Sequence, residues 1–528
     1  EGGETEGRDF KGQVIYQDPA DGEEYILIGN KQQLAAIGSG QQVYSAIYQA
    51  RLNGFTWEID YENGDPIMLY GGDADLLEEQ NGYKTFEFGN PDSASGALTG
   101  RCGVIQTGEN KGTIDPDMDI EDTGHTYDTD ENYIIFRDID LGNEPWNPLM
   151  FSGTMEGRLN MVKDTSVTIS NINVVQSGEL PIDEYVGIGF FGTIANESNV
   201  TDTVSLGAAE VSHLILQNVS VSNESSKIKD DFSLIGLLLG WLVNLLTGVQ
   251  NDPSTFATGG FAGRILGDAV VSDCEVRNLM VLGNTQDISG GFVGQIEGTT
   301  RYDFLLSGLG ELLGFLSDVL NLIPGLGLGD LITLLLNGGL LDVGNLLPVG
   351  YYNPVVENCK VTGISETEIG SDTTKFNGAF SGRQIGSTVK NCAVSSETEL
   401  TVKASDFGGG FSGAVVNSEL KGALNSLGVD LADAAFQSVA AGCEVNIPLK
   451  VQISGAYAGG FTGVLANSYA VDPTVIGVKE VSGNTSVGGL TGCSTVGWGI
   501  NAELQGTFGT HDKNLLNTVK ELLSTLLT

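Results

Sequence analysis

The chain has 528 residues, of which 68 are acidic and 25 are basic, so its formal net charge is −43. This charge excludes nucleic acid as a partner, because binding to a phosphate backbone needs a basic surface. The 75 glycines and the hydrophobic share of 41% indicate a turn-rich repeat protein with a real core rather than a helical enzyme.

The start of the chain divides into two predicted segments. Residues 1–22 are polar, acidic and glycine-rich, which is typical of a flexible chain start. Within residues 23–53, an apolar run at 25–28 predicts a strand, and the pattern at 31–37 predicts a short amphipathic helix. A helix at this place can cover the open end of a repeat structure.

Residues 54–131 are acidic and contain several turn dipeptides, so we expect an irregular insertion here. Alternating carboxylates in this segment resemble the start of a calcium-binding loop, and they define the candidate metal site: Asp115, Asp117, Asp119, Glu121 and Asp122. The EF-hand pattern is incomplete, since Ile120 replaces the turn glycine and Thr126 replaces the bidentate glutamate. Two interpretations stay open, a calcium site and a solvated acidic loop.

From residue 132 onward, the sequence is dominated by a repeated phrase close to Gly-Gly-Phe-x-Gly. Its phenylalanine, or a leucine in the last copy, occupies these positions: Phe190, Phe261, Phe292, Phe380, Phe411, Phe461 and Leu490. The intervals from Phe261 to Phe292 and from Phe461 to Leu490 are 31 and 29 residues. The unit is therefore about thirty residues long, and the longer intervals contain extra segments.

A second phrase, centred on cysteine, lies between copies of the first. It occurs at Cys274, Cys359, Cys392 and Cys443, and each copy predicts one short strand with alternating faces. With a looser third strand, each unit has three strands that stack on the next unit, so that Phe lies over Phe and Cys over Cys. Cysteines at equivalent places then form a buried ladder of thiols rather than disulfides.

Further motifs precede these copies in a fixed order: Trp146-Asn147-Pro148, Phe151-Ser152-Gly153-Thr154 and Ile169-Ser170-Asn171. Together with the Gly-Phe copies, they resemble the bacterial surface proteins that carry GLUG-type repeats, over residues 23–52 and 131 to about 500. The resemblance implies a large secreted, adhesin-like protein with a right-handed β-helix.

The predicted fold class is all-β: a right-handed parallel β-helix, a solenoid of about thirty residues per coil, over residues 132–510, with α-helical insertions. The insertions lie near residues 222–256, 299–349 and 418–440, where apolar runs carry a stripe of small or polar residues. Residues 511–528 predict a C-terminal amphipathic helix with this apolar face: Leu515, Leu516, Val519, Leu522, Leu523 and Leu526.

The apolar faces of the insertions need a cover, and three covers are compatible with the sequence. The helices pack on one another, they meet the same layer of a second molecule, or they touch lipid. Glu311 and Asp318 lie within the longest insertion and argue against membrane contact, because carboxylates are costly in lipid.

The sequence predicts no catalytic residue. Enzymes on this fold need clustered acidic, basic or histidine side chains, whereas the repeats carry Ser, Thr, Gly, Val and isolated charges. His125, His213 and His511 lie far apart in sequence and are expected at the surface. Arg264 and Arg383 occupy equivalent places in the repeat and are expected to pair with carboxylates on the acidic surface.

The expected function is that of a secreted bacterial cell-surface adhesin or structural stalk, which is not an enzyme and for which calcium is the one cofactor considered. A stiff repeat structure would bind multivalently to a glycan or protein on a host or neighbouring cell, or to copies of itself. Two alternatives are a self-assembling subunit of a fibre or surface layer, joined through the insertions, and a carbohydrate-active enzyme of the same fold.

Overall fold

A computed structural model describes these residues: 8–10, 15–18, 22–41, 43, 55–59, 67–71, 78–80, 83–85, 124–181, 186–195, 209–228, 256–283, 286–301, 350–417 and 437–495. The regular structure in this part of the chain is nearly all β. Its helical elements are the α-helix α1 (Lys31–Ala36) and a 3-10 turn at Leu159–Met161.

Short strands precede the repeats. In chain order they are β1 (Arg8–Phe10), β2 (Ile15–Gln17), β3 (Glu24–Ile28), β4 (Phe55–Ile59), β5 (Ile67–Gly71), β6 (Glu78–Gln80) and β7 (Tyr83–Thr85). The strands β1, β5 and β4 form an antiparallel sheet, and β6 pairs with β7. The predictions of a flexible segment at 1–22 and an irregular one at 54–131 are therefore wrong at these strands. The apolar alternation of Phe55, Trp57 and Ile59 is the strand signal that was overlooked.

The next strands, up to residue 297, are β8 (Asn132–Ile135), β9 (Ile139–Asp140), β10 (Pro145–Trp146), β11 (Leu149–Phe151), β12 (Thr154–Gly157), β13 (Val167–Pro181), β14 (Val186–Ile188), β15 (Phe191–Ile194), β16 (Glu210–Ser212), β17 (Leu214–Ile228), β18 (Phe256–Gly259), β19 (Ala262–Leu266), β20 (Val270–Ser272), β21 (Glu275–Gly283), β22 (Asp287–Gly290) and β23 (Val293–Glu297).

The remaining strands are β24 (Thr299–Arg301), β25 (Gly350–Tyr352), β26 (Val355–Glu357), β27 (Lys360–Ile364), β28 (Glu368–Ile369), β29 (Thr374–Gly378), β30 (Ser381–Ile385), β31 (Thr388–Lys390), β32 (Ala393–Ser395), β33 (Leu400–Ala404), β34 (Phe407–Gly409), β35 (Ser412–Val416), β36 (Val439–Ala441), β37 (Glu444–Ile453), β38 (Tyr457–Gly459), β39 (Thr462–Ala466), β40 (Tyr469–Val471), β41 (Thr474–Ser482), β42 (Ser486–Gly488) and β43 (Thr491–Thr495).

Four large sheets contain most of these strands. Sheet I has the order β2-β3-β8-β12-β16-β20-β26-β31-β36-β40, and sheet II holds β9, β10, β13, β17, β21, β27, β28, β32, β33, β37 and β41. Sheet III has the order β14-β18-β22-β29-β34-β38-β42, and sheet IV has the order β11-β15-β19-β23-β30-β35-β39-β43. All neighbours in these sheets pair in parallel except β2 with β3.

From β12 onward, the chain passes through sheets I, II, III and IV in that order and then begins again. We call one such passage a repeat. The register is kept across the long intervals: Val293 pairs with Ser381 although residues 302–349 separate β24 from β25. Each long interval is therefore one repeat with an added segment.

Each repeat has four strand positions, so the prediction of three strands is wrong. The Gly-Phe phrase spans a strand of sheet III, a bend and a strand of sheet IV, as β22 and β23 show around Phe292. Each cysteine phrase is likewise split, because the residue before the cysteine has a positive φ: 53° at Asp273, 55° at Asn358 and 52° at Asn391. Asn and Asp tolerate this left-handed conformation, which turns the chain from sheet I into sheet II.

Glycines bring sheets III and IV close together. A Cβ atom on Gly290 would lie 2.2 Å from the carbonyl oxygen of Val293, and one on Gly294 would lie 2.6 Å from the amide nitrogen of Thr258. No side chain fits at these distances, so the repeated spacing of glycines within the phrase reflects backbone contact between the two sheets.

The predicted stacking of phenylalanines is confirmed. The ring centroids are 4.7 Å apart for Phe261 and Phe292, 5.0 Å for Phe292 and Phe380, 4.7 Å for Phe380 and Phe411, and 4.9 Å for Phe411 and Phe461. The rings are nearly parallel and fully buried in the main core. At the N-terminal end of this column, Phe190 stacks on Trp146 at 4.8 Å.

A column of asparagines links the repeats along a bend within sheet II. Asn171, Asn218 and Asn278 all have φ between 55° and 58°. The Nδ2 of Asn218 donates to Oδ1 of Asn171 at 2.9 Å, and the Nδ2 of Asn278 donates to Oδ1 of Asn218 at 2.8 Å. Side-chain amides thus continue the ladder of backbone hydrogen bonds.

The predicted helical insertions lie outside the described residues except at their ends, where their bounds need correction. Strand β17 continues to Ile228, so residues 222–228 are strand, because this stretch pairs with the end of β13. Strand β18 begins at Phe256, β24 occupies 299–301 and β36 begins at Val439, so these ends of the predicted insertions are also strand. Strand β25, at 350–352, begins directly after the predicted second insertion. The predicted helix at 511–528 also lies outside the described residues.

The N-terminal end of the repeats is covered. The predicted helix at 31–37 coincides with α1, and Leu34 and Ile37 are buried in the main core. Asn30 caps this helix, accepting a hydrogen bond from the amide of Gln33. Helix α1 therefore shields core side chains that a further repeat would otherwise bury.

A buried ion-pair network ties β2 to the repeats. The side chain of Arg158 donates to Asp18 at 2.8 Å and to Glu156 at 2.7 Å. Burial alone would lower the pKa of Arg158. The hydrogen bonds and charges of Glu156 and Asp18 outweigh this effect, so the pKa of Arg158 lies well above its usual range. Arg158 is 2% exposed and Asp18 is 1% exposed.

We predict that Arg158→Met destabilises the protein by about 3–5 kcal/mol, because the buried Asp18 then keeps, among the described residues, only the partly exposed Lys163, at 3.1 Å, as its cation. Asp18→Asn should cost less, because Arg158 keeps its ion pair with Glu156. Lys31→Met is the matched control, since Lys31 pairs with Glu144 at 3.0 Å between side chains that are 41% and 68% exposed, and such pairs contribute about 0–1 kcal/mol. Urea unfolding of the full chain measures both. Equal effects of the two cation substitutions would contradict a structural role of the network.

We also predict that Phe380→Ala destabilises the protein by about 3–5 kcal/mol, because it leaves a cavity between two stacked rings. Met280→Ala should cost less than about 0.5 kcal/mol, since Met280 is exposed on β21. The urea midpoint of each variant is the measurement, and a mild effect of Phe380→Ala would show that the column is not a main source of stability.

Candidate functional site

A cleft of about 580 Å³ lies where the chain leaves sheet II for sheet III, and it spans consecutive repeats. We call it the sheet II cleft. Its lining residues are Asn223, Glu224, Ser225, Leu282, Gly283, Gln286, Glu366, Glu368, Gly370, Ser371 and Thr373. Its size falls within the range of ordinary ligand sites.

A step in sheet II creates this cleft. Strand β17 pairs with β13 as far as Ile228, but it pairs with β21 only as far as Ser222. Beyond that point, the edge of β17 faces the cleft rather than another described strand. Residues 366–373, which lead into the next strand of sheet III, form the opposite wall.

The lining is polar and acidic. Glu224, Glu366 and Glu368 supply carboxylates, and Ser371 and Thr373 supply hydroxyl groups. Glu368 forms an ion pair with Lys403 at 2.7 Å, and both side chains are partly exposed. The mixture of carboxylates, hydroxyls and amides can bind the hydroxyl groups of a sugar or a basic group, whereas an anion would be repelled.

Sequence reasoning missed this cleft. Its walls come from segments more than one hundred residues apart, around 223 and 370, and neither carries a motif. Residues 222–228 also fall within a predicted helical insertion. The available signal was the polar alternation of residues 219–226, which predicts a strand with one exposed face.

The predicted calcium residues lie outside the described part of the chain, so this site stays a prediction for Asp115, Asp117, Asp119, Glu121 and Asp122. Within the described residues, no group of three or more His, Cys, Asp or Glu side chains is arranged to hold a metal ion.

The expectation that His125 is a surface residue is wrong. Its Nε2 lies 3.1 Å from Glu24 and its Nδ1 lies 3.3 Å from Glu131, and only 15% of its side chain is exposed. The hydrogen bond with Glu131 raises the pKa of His125, burial opposes this, and Glu24 raises it further. This histidine joins β3 to the segment before β8. His213 is partly buried at the bend before β17 with φ of 58°, and His511 lies outside the described residues.

Arg264 and Arg383 also differ from the expectation, because both are buried rather than on the acidic surface. They occupy equivalent positions of sheet IV, on either side of Gln295. Arg264 donates to Gln295 Oε1 at 2.8 Å, and Gln295 donates to Glu297. Burial raises the pKa of Glu297, while the charges of Arg383 and Arg264 oppose this. The group is an internal charge cluster between sheets III and IV.

The cysteine prediction is confirmed for the described cysteines of the repeats. Four of the described cysteines are free and buried: Cys274, Cys359, Cys392 and Cys443. Each lies directly before the first residue of a sheet II strand, at equivalent places in the repeats. Burial raises the pKa of Cys274 and Cys392 well above the usual value, and that of Cys443 to about 11. These thiols act as small core side chains. Cys493 is free and partly exposed in β43, and Cys102 lies outside the described residues.

Comparison with known proteins finds no match to a protein-family model, to a curated protein or to a solved structure. Among the described residues, no helix has the length and apolar character needed to cross a membrane.

We predict that His125→Gln destabilises the protein most at acidic pH. The folded pKa lies above the unfolded value of 6.5, so the contribution of His125 is complete below pH 6.5 and is lost as the pH rises through the folded pKa. The difference in urea midpoint between wild type and His125→Gln should therefore shrink as the pH rises above 6.5. A difference that does not change with pH would contradict this role.

Proposed function

We propose that sheets I to IV are the walls of a right-handed parallel β-helix and that each repeat is one coil. The recurrence of the four sheets in the same chain order supports this, as does the parallel pairing between consecutive repeats. Right-handedness follows from the strong preference for right-handed crossovers between parallel strands of one sheet. The predicted GLUG-type identity rests on the quoted motifs alone.

The proposed function is that of a secreted bacterial cell-surface adhesin. The observation that carries this proposal is the sheet II cleft, a polar recess held by strands of a stiff, continuously paired body. Sheet I has ten strands, which at about 4.8 Å per strand make a body about 40 Å long. A body of this kind can act as a structural stalk or present a binding site, and the cleft is the feature that favours direct binding.

The ligand would be a glycan or a protein segment on a host or neighbouring cell. The carboxylates Glu224, Glu366 and Glu368 favour neutral or basic groups, and the net charge of −43 disfavours nucleic acid. Calcium stays a predicted ligand of residues 115–122, which lie outside the described residues.

We predict that beads coated with the protein are retained on an array of neutral glycans. The double variant Glu366→Gln/Glu368→Gln should bind these glycans more weakly. Loss of one or two hydrogen bonds of about 1 kcal/mol each lowers the affinity by about 5- to 30-fold. Glu397→Gln is the matched control, because Glu397 is an exposed glutamate at the equivalent bend of the next repeat and does not line the cleft.

No retention of coated beads above that of uncoated beads would contradict the adhesive function for this ligand class. If Glu397→Gln lowers glycan affinity as much as the double variant does, the glycan binds outside the cleft. Mass spectrometry of the bound glycans tests the enzymatic alternative, since shortened products that disappear with Glu366→Gln would require hydrolysis or elimination instead of binding alone.

Self-assembly into a fibre or surface layer is the second candidate function. One observation favours it: the strands of the last described repeat, β40 to β43, expose apolar side chains that a second copy could cover. Static light scattering over a range of protein concentrations separates a monomer from an assembling subunit.

A further inference from the structure

The last described repeat presents an open apolar face. Val478, Val487 and Leu490 are 36%, 48% and 42% exposed. Their neighbours in the preceding repeat, Leu449 and Ala458, are fully buried in the same columns. In each earlier repeat, the following repeat covers these columns, so the face at β40 to β43 is a cross-section of the core.

Leu490 shows this most directly. The amide of Phe461 donates to the carbonyl oxygen of Leu490 at 2.8 Å, which places Leu490 next in the column of stacked phenylalanines. Phe461 is fully buried, whereas Leu490 has no further ring over it among the described residues. The outer edge of β41 likewise has no described strand beside it.

The two ends of the repeats therefore differ. At the N-terminal end, Leu34 of α1 and Ile37, which follows the helix, are buried in the main core. This helix leaves no open repeat end there on which the terminal repeat of another copy could stack, so a second copy could cover the open face only with its own open face. The net charge of −43 also opposes the approach of a second copy. Both facts favour a cover that comes from the same chain.

The chain itself continues for 33 residues after Thr495, from 496 to 528. Its last part carries the only long amphipathic pattern after the repeats, with apolar positions from Leu515 to Leu526. A helix of 18 residues is about 27 Å long, enough to cross the face of one repeat, and the connector of 15 residues from 496 to 510 can reach any part of it.

We propose that residues 511–528 pack as an amphipathic helix across the terminal repeat and close its core. Leu515, Leu516, Val519 and the leucines that follow cover Val478, Val487 and Leu490. The segment thus plays at the C-terminal end the role that α1 plays at the other, and the proposal does not depend on the adhesive function.

The test uses hydrogen–deuterium exchange on the full chain. Leu516→Glu with Leu523→Glu places two charges on the apolar face, and the matched control Asn517→Glu with Ser524→Glu places two charges on the polar face. We expect the first pair to speed amide exchange in residues 469–495 by about tenfold or more, because the cover is lost. Exchange in residues 439–466 should not change, which shows that the remaining repeats stay folded.

Leu490→Glu is the reciprocal variant and should speed exchange in 469–495 in the same way. Two outcomes would overturn the proposal. One is exchange at the wild-type rate in both Leu516→Glu/Leu523→Glu and its control. The other is protection of 469–495 that rises with protein concentration together with a dimer in light scattering, since a second copy would then be the cover.

Discussion

Parallel backbone pairing between consecutive repeats is the constraint on which the rest of the structure depends. Val271 pairs with Val356, Val356 with Val389 and Val389 with Ala440, so equivalent residues lie directly over one another. A shift of one residue would turn every inward side chain outward. The columns of phenylalanine, cysteine and asparagine follow from this register, because each position meets its own copy in the next repeat.

The register also explains which parts of the fold could be predicted from the sequence. Residues that recur, such as Phe292 and Cys359, were expected to stack, and their geometry confirms it. The split of the Gly-Phe phrase into two strands was not foreseen, because a run of apolar and small residues does not reveal a bend inside it. The close approach of sheets III and IV, visible at Gly290, became evident only from the backbone distances.

The candidate site could not be predicted for a different reason. The sheet II cleft arises where the register ends, at the unequal lengths of β17 and β21, and strand length is not repeated from one unit to the next. The contacts of His125 could not be predicted either, since its partner Glu24 lies 101 residues away and outside any repeat. Arg264 was expected at the surface because a single sequence does not show that sheet IV is covered on both faces.

In such a fold, residues at the bends and strand ends are better suited to ligand binding than residues in the core. Side chains that point inward are fixed by their neighbours in the preceding and following repeats, so a change at one of them disturbs a whole column. Residues at the bends, such as Glu366 and Ser371, lie between the paired strands and can vary without loss of register. The stiff ladder then holds these variable residues at fixed spacing, which is the property that recognition by a shallow polar cleft requires.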